Sequence, residues 1–257
     1  MFKKEHQLAA RAAGEAGSYL LGMSKKHFRV GFKGKIDPVT EADTGAERLI
    51  ISAIRKRFPD DDILTEETSD QRRRSDRRWI IDPLDGTTNF SHGFPFWCVS
   101  IAFESEGTVE CGAIRSPVLR EFFSARRGRG AFLNGRRIRV SKQTRLERCL
   151  LATGFPYDVH TSRNDNLRYF RRFIKKAQAV RRPGSAAMDL AYVACGRFDG
   201  FWEMKLKPWD MAAAALMVEE AGGRVTDFAG DRFSIYKPEC LASNGRVHGK
   251  MIMTIGG

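Results

Sequence analysis

Long apolar runs are missing from this chain. None approaches the ~18 consecutive apolar residues that a membrane-crossing helix needs, and Met1-Phe2-Lys3-Lys4-Glu5-His6 lacks the apolar stretch of a signal peptide. Paired cysteines are missing too. The five cysteines stand at 98, 111, 149, 195 and 240, an odd number with no CxxC, which argues against a disulfide framework or a zinc knuckle. Cys98 and Cys111 fall in apolar, strand-like runs and read as core. The five histidines (6, 27, 92, 160, 248) form no HExxH-type pair. Any metal centre must therefore be built from oxygen ligands, which favours Mg²⁺ over Zn²⁺. There is no low-complexity tract, so 257 residues should give one large globular domain or two closely packed halves, in the cytosol.

Acid is scarce relative to base: 44 Lys and Arg against 31 Asp and Glu leave a net charge of +13. The arginines cluster, as in Arg72-Arg73-Arg74, Arg77-Arg78, Arg126-Arg127, Arg136-Arg137, Arg171-Arg172 and Arg181-Arg182. Such a field attracts polyanions and steers phosphorylated small molecules. The clusters are dispersed and carry no interleaved aromatics, so a solvated surface is favoured over a nucleic-acid site.

Against that background one acidic stretch organises the chain: Trp79-Ile80-Ile81-Asp82-Pro83-Leu84-Asp85-Gly86-Thr87-Thr88-Asn89-Phe90. The three residues Trp79, Ile80 and Ile81 read as a buried strand. Pro83 cannot continue a ladder, which predicts a strand end near Asp82. Gly86-Thr87-Thr88 then offers free backbone amides, which favour phosphate. Two carboxylates would repel phosphate, and a hard cation between them resolves the conflict. The motif thus points to metal-dependent phosphoryl transfer.

Around it, residues 5–22 and a segment opening at Val39-Thr40-Glu41-Ala42-Asp43 read as helices. Thr40 is the expected N-cap, and Ala46, Leu49, Ile50, Ala53, Ile54 and Arg57-Phe58 form the expected buried face. Gly31 to Pro38 reads as a glycine-rich loop, a lid or a connector. Asp62-Ile63-Leu64-Thr65-Glu66-Glu67 reads as a strand ending in two acids that point to opposite faces. Residues 97–104, 108–115 and 121–124 read as strands, and Asn134-Gly135 signals a hairpin. Beyond residue 147, strands and helices alternate. A basic helix is expected over 162–176, and Gly184-Ser185-Ala186-Ala187 opens another. Pro208 and Gly222 bracket a third, with Asp210 in its first turn.

Asp82-Pro83-Leu84-Asp85-Gly86-Thr87-Thr88 and Trp209-Asp210 with Glu219-Glu220-Ala221-Gly222-Gly223 resemble both signatures of the inositol monophosphatase family. Thr65-Glu66-Glu67 and Val39-Thr40-Glu41-Ala42-Asp43 resemble two further family motifs, in the same order. The resemblance covers essentially the whole chain and implies a layered αβαβα sandwich. Residues 1–146 would form an α+β half carrying the main motifs, and residues 147–257 an α/β half completing the site. It also implies Mg²⁺-dependent phosphomonoester hydrolysis, sensitivity to Li⁺ and a homodimer. On this resemblance Glu66, Asp82 and the Leu84 carbonyl would hold one Mg²⁺, Asp82, Asp85 and Asp210 a second, and Glu66 a weaker third through water. Asp43 and Thr87 would orient the attacking water. The amides of Gly86 and Thr87 would take phosphate oxygens. Asp85, Gly184, Ser185, Ala186, Glu203 and Asp210 would contact the substrate.

Arg181-Arg182-Pro183-Gly184-Ser185-Ala186-Ala187 and Leu151 to Tyr157 resemble the bacterial inositol-phosphatase branch, which implies inositol 1-phosphate as substrate. Fructose 1,6-bisphosphate, histidinol phosphate and phosphoadenosine phosphate serve other relatives. A rival from another class is an RNA- or transcription-binding protein on the same fold.

Overall fold

The computed structural model describes residues 1–26, 30–32, 38–68 and 75–257. The first part of the chain runs α1 (Lys3–Met23), β1 (Val30–Phe32), β2 (Pro38–Thr40), α2 (Glu41–Arg57), β3 (Asp62–Thr65), β4 (Arg77–Asp85) and α3 (Thr87–Ser91). A meander follows: β5 (Cys98–Ser105), β6 (Thr108–Ser116), β7 (Glu121–Arg126), β8 (Gly130–Leu133) and β9 (Arg136–Arg137). Then come β10 (Leu150–Thr153), α4 (Leu167–Ile174), β11 (Ala179–Arg181), α5 (Ala186–Ala194), β12 (Gly200–Met204), α6 (Pro208–Glu220), β13 (Arg224–Thr226), β14 (Glu239–Ser243) and α7 (His248–Gly256).

β3 to β9 form a seven-stranded sheet in sequence order, antiparallel except for the parallel pair β3–β4. A five-stranded sheet has the order β11-β10-β12-β14-β13. The two-residue period of a strand distributes side chains to either face. In β4, Trp79 and Ile81 join the apolar cluster under α1 and α2, while Ile80 joins the cluster around α5 and α6. In β12, Phe201 faces that middle cluster, and Trp202 and Met204 face the third, which holds Met251 and Ile255 of α7 and Phe173 of α4. The result is α1/α2, sheet, α5/α6, sheet, α4/α7, the expected αβαβα sandwich.

Three local expectations need correction. β4 does not stop at Asp82. It runs to Asp85 through a register shift between those two residues, so Pro83 sits in a bulge where no ladder bond is required of it. Leu49 is 44% exposed; the buried face of α2 turns instead through Ala42, Asp43, Ala46, Glu47, Ile50 and Ile54. The basic helix begins only at Leu167. Asn166 takes a left-handed backbone (φ 72°) and spends its side chain on Thr153, Gly154 and Trp202. The ends of the glycine-rich loop pair as β1 and β2, while residues 33–37 and Arg72-Arg73-Arg74 lie outside the described residues.

Candidate active site

The parallel strands β3 and β4 end side by side, and both end in acids. Glu66 follows β3 directly, and the bulge of β4 carries Asp82, Pro83, Leu84 and Asp85. The Leu84 amide donates to Asp82 Oδ1 (3.0 Å), which turns that buried carboxylate along the strand end. Gly86 then takes φ +94°. A Cβ there would stand 3.0 Å from the Phe96 carbonyl oxygen and 3.3 Å from that of Gly184, so only glycine fits the turn into α3.

Thr87 follows in the first turn of α3. Its Oγ1 lies 3.0 Å from Asp43 Oδ1 and 2.9 Å from the Leu84 carbonyl oxygen. Asp43 is held by the capping box that opens α2: its Oδ2 accepts from the Thr40 amide (2.8 Å) and the Thr40 hydroxyl. Thr40, expected as an N-cap, is one, and it also fixes the direction of Asp43.

The second half of the chain closes on this cluster. Ser185, the N-cap of α5, donates its hydroxyl to Asp85 Oδ2 at 2.6 Å, and the Ala187 amide donates to the same oxygen at 2.7 Å. Asp210 Oδ2 accepts from the Lys207 amide (2.7 Å) at the start of α6. Both helices therefore present their N-terminal ends to the acids, where the dipole favours negative charge.

The electrostatics are those of acids crowded together. Asp82 titrates well above the usual carboxylate range because it is desolvated, and Glu66, Asp85 and Asp210 raise it further. Burial lifts Asp85 to about 6 against the pull of its bonds from Ser185 and Ala187. Asp210 is raised by desolvation and by Asp85, and Glu203 is pushed to about 8 by burial and by Asp85. Burial also raises Asp43, opposed by its bonds to Thr40 and Thr87. Among the described residues, no three acidic, His or Cys side chains stand around one point as a closed metal cage. The donor set nevertheless suits a hard cation: carboxylate oxygens with no basic side chain among the groups that shift Asp82 or Asp210.

A cavity of about 110 Å³ opens beside these acids. It brings Asp85, Gly86, Gly184, Ser185, Ala186, Glu203 and Asp210 to one wall, seven of the residues expected at the site. Asp43 and Thr87 sit behind it, joined to it through Leu84 and Gly86. A larger cavity of about 430 Å³, near Glu104, Arg127 and Tyr236, contains none of the expected residues.

Three contributors escaped the sequence reading. Glu47 accepts from the Thr65 hydroxyl (2.5 Å) and the Glu67 amide (3.1 Å), which anchors the turn that carries Glu66. Asn89 donates to the carbonyls of Phe96 (2.7 Å) and Pro183 (2.8 Å), clamping the Gly184 turn over α3. Asp189 lines the cavity from α5. A buried acid on an otherwise apolar helix face was the one available signal for Glu47 and Asp189.

Comparison with known proteins agrees with this arrangement. The family model described as the inositol monophosphatase family matches residues 3–255. The chain is 45% identical over 255 residues to the Nus factor SuhB of Pseudomonas aeruginosa, covering 96% of this chain and 94% of that one. It is 41% identical over 227 residues to a fructose-1,6-bisphosphatase/inositol-1-monophosphatase of Thermotoga maritima, covering 88% and 84%. The solved structure of an inositol monophosphatase from Anabaena (Nostoc) superposes with a TM-score of 0.92 at 38% identity, covering 99% of this chain and 96% of that one. The chain belongs to the inositol monophosphatase family.

Proposed function

We propose that the protein is a Mg²⁺-dependent phosphomonoesterase that hydrolyses inositol 1-phosphate. The supporting observation is the carboxylate group of buried Asp82 and Asp85 with half-buried Glu66 and Asp210, near the Asp43–Thr87 pair and beside a cavity lined by Glu203. Glu66, Asp82 and the Leu84 carbonyl would hold one Mg²⁺, and Asp82, Asp85 and Asp210 a second. Metal held by those residues would supply a lowered pKa for a bound water and charge neutralisation at the phosphoryl group. The chain does the rest. The Thr87 hydroxyl directs its proton to Asp43 or to the Leu84 carbonyl and keeps lone pairs to accept from the attacking water. Asp43, raised by burial, is the base beyond it. The amides of Gly86 and Thr87 take phosphate oxygens, and Glu203 takes ring hydroxyls.

The test is phosphate release from inositol 1-phosphate, fructose 1,6-bisphosphate, histidinol phosphate and phosphoadenosine phosphate, each with Mg²⁺ and with EDTA. Inositol 1-phosphate should be turned over fastest, and only with the metal. Preference for another member of the panel would reassign the substrate.

One observation favours a second function on the same fold. Lys3, His6, Arg126 and Arg129 line a surface cavity of about 370 Å³; Lys4, Arg11 and Arg57 line another of about 230 Å³, and Gln7 borders both. The relative in Pseudomonas aeruginosa is named a Nus factor. A basic, concave face of this kind suits the phosphate backbone of RNA. Titration with a generic RNA at rising salt should show a steep loss of affinity, and no binding at low salt would remove this reading.

A further inference from the structure

Asp189 is 1% exposed, and its Oδ1 has no hydrogen-bond partner among the described residues. Buried polar groups in folded proteins nearly always have one, and an isolated exception calls for a reason. Burial of this kind costs stability unless something repays it. Its position supplies the reason. The Asp189 amide donates to the Ser185 carbonyl (2.9 Å), one turn back along α5. Residues four apart share a helix face, so Asp189 lies on the face from which the Ser185 hydroxyl reaches Asp85. That face lines the cavity together with Glu203 of β12. Asp189 and Glu203 are close enough for each to feel the Arg182 guanidinium, which stands over Gly184 at the same cavity.

We propose that Asp189 is a substrate-binding residue which, with Glu203, takes adjacent hydroxyls of a polyol monophosphate. The proposal rests on the phosphomonoesterase reading above and narrows its substrate to a ring bearing neighbouring free hydroxyls. Glu203 alone could accept from one or two hydroxyls. A second carboxyl beside it, with its Oδ1 left without a protein donor, calls for a ligand donor and penalises a substrate that lacks one. Desolvation and the neighbouring Glu203 carboxylate raise the Asp189 titration well above the carboxylate range.

The test compares wild type, Asp189→Asn and Asp189→Leu on inositol 1-phosphate and on p-nitrophenyl phosphate, which has no ring hydroxyl. The leucine variant should raise KM for inositol 1-phosphate by about tenfold or more, the consequence of removing one hydrogen-bonding partner from a desolvated site, with kcat nearly unchanged. Its KM for p-nitrophenyl phosphate should rise far less than that for inositol 1-phosphate, and its Tm should not fall, because a buried oxygen without a protein partner has been removed. Asp189→Asn, which keeps the shape, guards against misfolding and should lie between the two. Equal losses on both substrates, or a lowered Tm with an unchanged KM, would overturn the proposal. Failure of wild type to release phosphate from either substrate would instead sink the phosphomonoesterase reading. Saturation-transfer NMR with free inositol then decides: a signal in wild type that Asp189→Leu lacks supports the pocket, and the same signal in both, or none, overturns it.

Discussion

The parallel strands β3 and β4 carry acids at both ends, and the two ends are opposites. At the start, Arg77 donates to Asp61 Oδ1 (2.8 Å) and to Glu5 Oε1 (2.9 Å), and Trp79 Nε1 donates to Asp61 Oδ2 (2.9 Å). The Arg77 guanidinium also stacks over the Phe103 ring at 4.7 Å, and Arg78 pairs with Asp62 at 3.4 Å. At the other end Glu66, Asp85 and Asp210 raise Asp82, Glu66 raises Asp85, and Asp85 and Glu66 raise Asp210: among the described residues the charged neighbours that shift these acids most are themselves acids. Paired acids at one end hold α1 to the sheet. Crowded acids at the other end cost stability, which a bound cation would repay. The Arg77-Arg78 pair, expected on a solvated surface, is thus built into the fold.

The contrast can be broken from either side. Asp82→Asn should lose on the order of 10²–10⁴-fold or more in Mg²⁺-dependent phosphate release while keeping its Tm, since it removes a crowded charge. Near-normal turnover in that variant would refute the site. Arg77→Ala should do the reverse, lowering stability by about 3 kcal/mol because it strands the buried Asp61 and Glu5, with kcat unchanged in the folded fraction. Denaturant unfolding beside activity measures both.

Metal should stabilise one end only. At a Mg²⁺ concentration of about 100 times its Kd the gain is roughly 2.7 kcal/mol, and Asp82→Asn should lose most of it while Arg77→Ala keeps it. Thermal melts with Mg²⁺ and with EDTA read this directly.

The pH dependence follows from the same crowding. Asp85 is lifted to about 6 and Glu203 to about 8, above their values in an unfolded chain. Between the unfolded and folded pKa values the folded chain binds more protons than the unfolded one, so stability falls as pH rises. Metal-free protein should therefore lose stability from about pH 4 to about pH 8, and Mg²⁺ should flatten that slope. The smallest expected effect is that of Thr40→Ala, about 1 kcal/mol for a lost N-cap, together with a drop in kcat because Asp43 loses its guide. A stability loss with no change in kcat would make Thr40 a cap and nothing more.

How much was legible beforehand varies by residue. Hydrophobic periodicity marked α1, α2 and the meander, and Asn134-Gly135 marked its hairpin: the two residues take φ of 49° and 76° at the β8–β9 turn. The acids of the central motif, Glu66 and Asp210 were readable because local motifs carry them. Pro83 misled because a proline argues against a regular ladder and says nothing of a bulge. Asn166 misled because its partners Thr153 and Trp202 come from other strands. Glu47, Asn89 and Asp189 were missed for a related reason. Each acquires its role from groups on other elements, and an acid on an apolar helix face is only a faint signal until those groups arrive.

The sequence by itself determined which groups are on offer: carboxylate oxygens without a His or Cys cluster, a glycine turn after the central acids, and strands whose period sorts side chains to two faces. Those are properties of residue type and short spacing, and they survive without a fold. Only the tertiary structure decided which acids are paired and which are left crowded. It brought Ser185 to Asp85 and Thr87 to Asp43, and set Asp189 beside Glu203. The physical reason is that burial and charge compensation depend on what packs alongside. Arg77 neutralises acids at one end of the strand pair, while at the other Asp82 and Asp210 have acids as the neighbours that shift them most, a difference that no local pattern encodes.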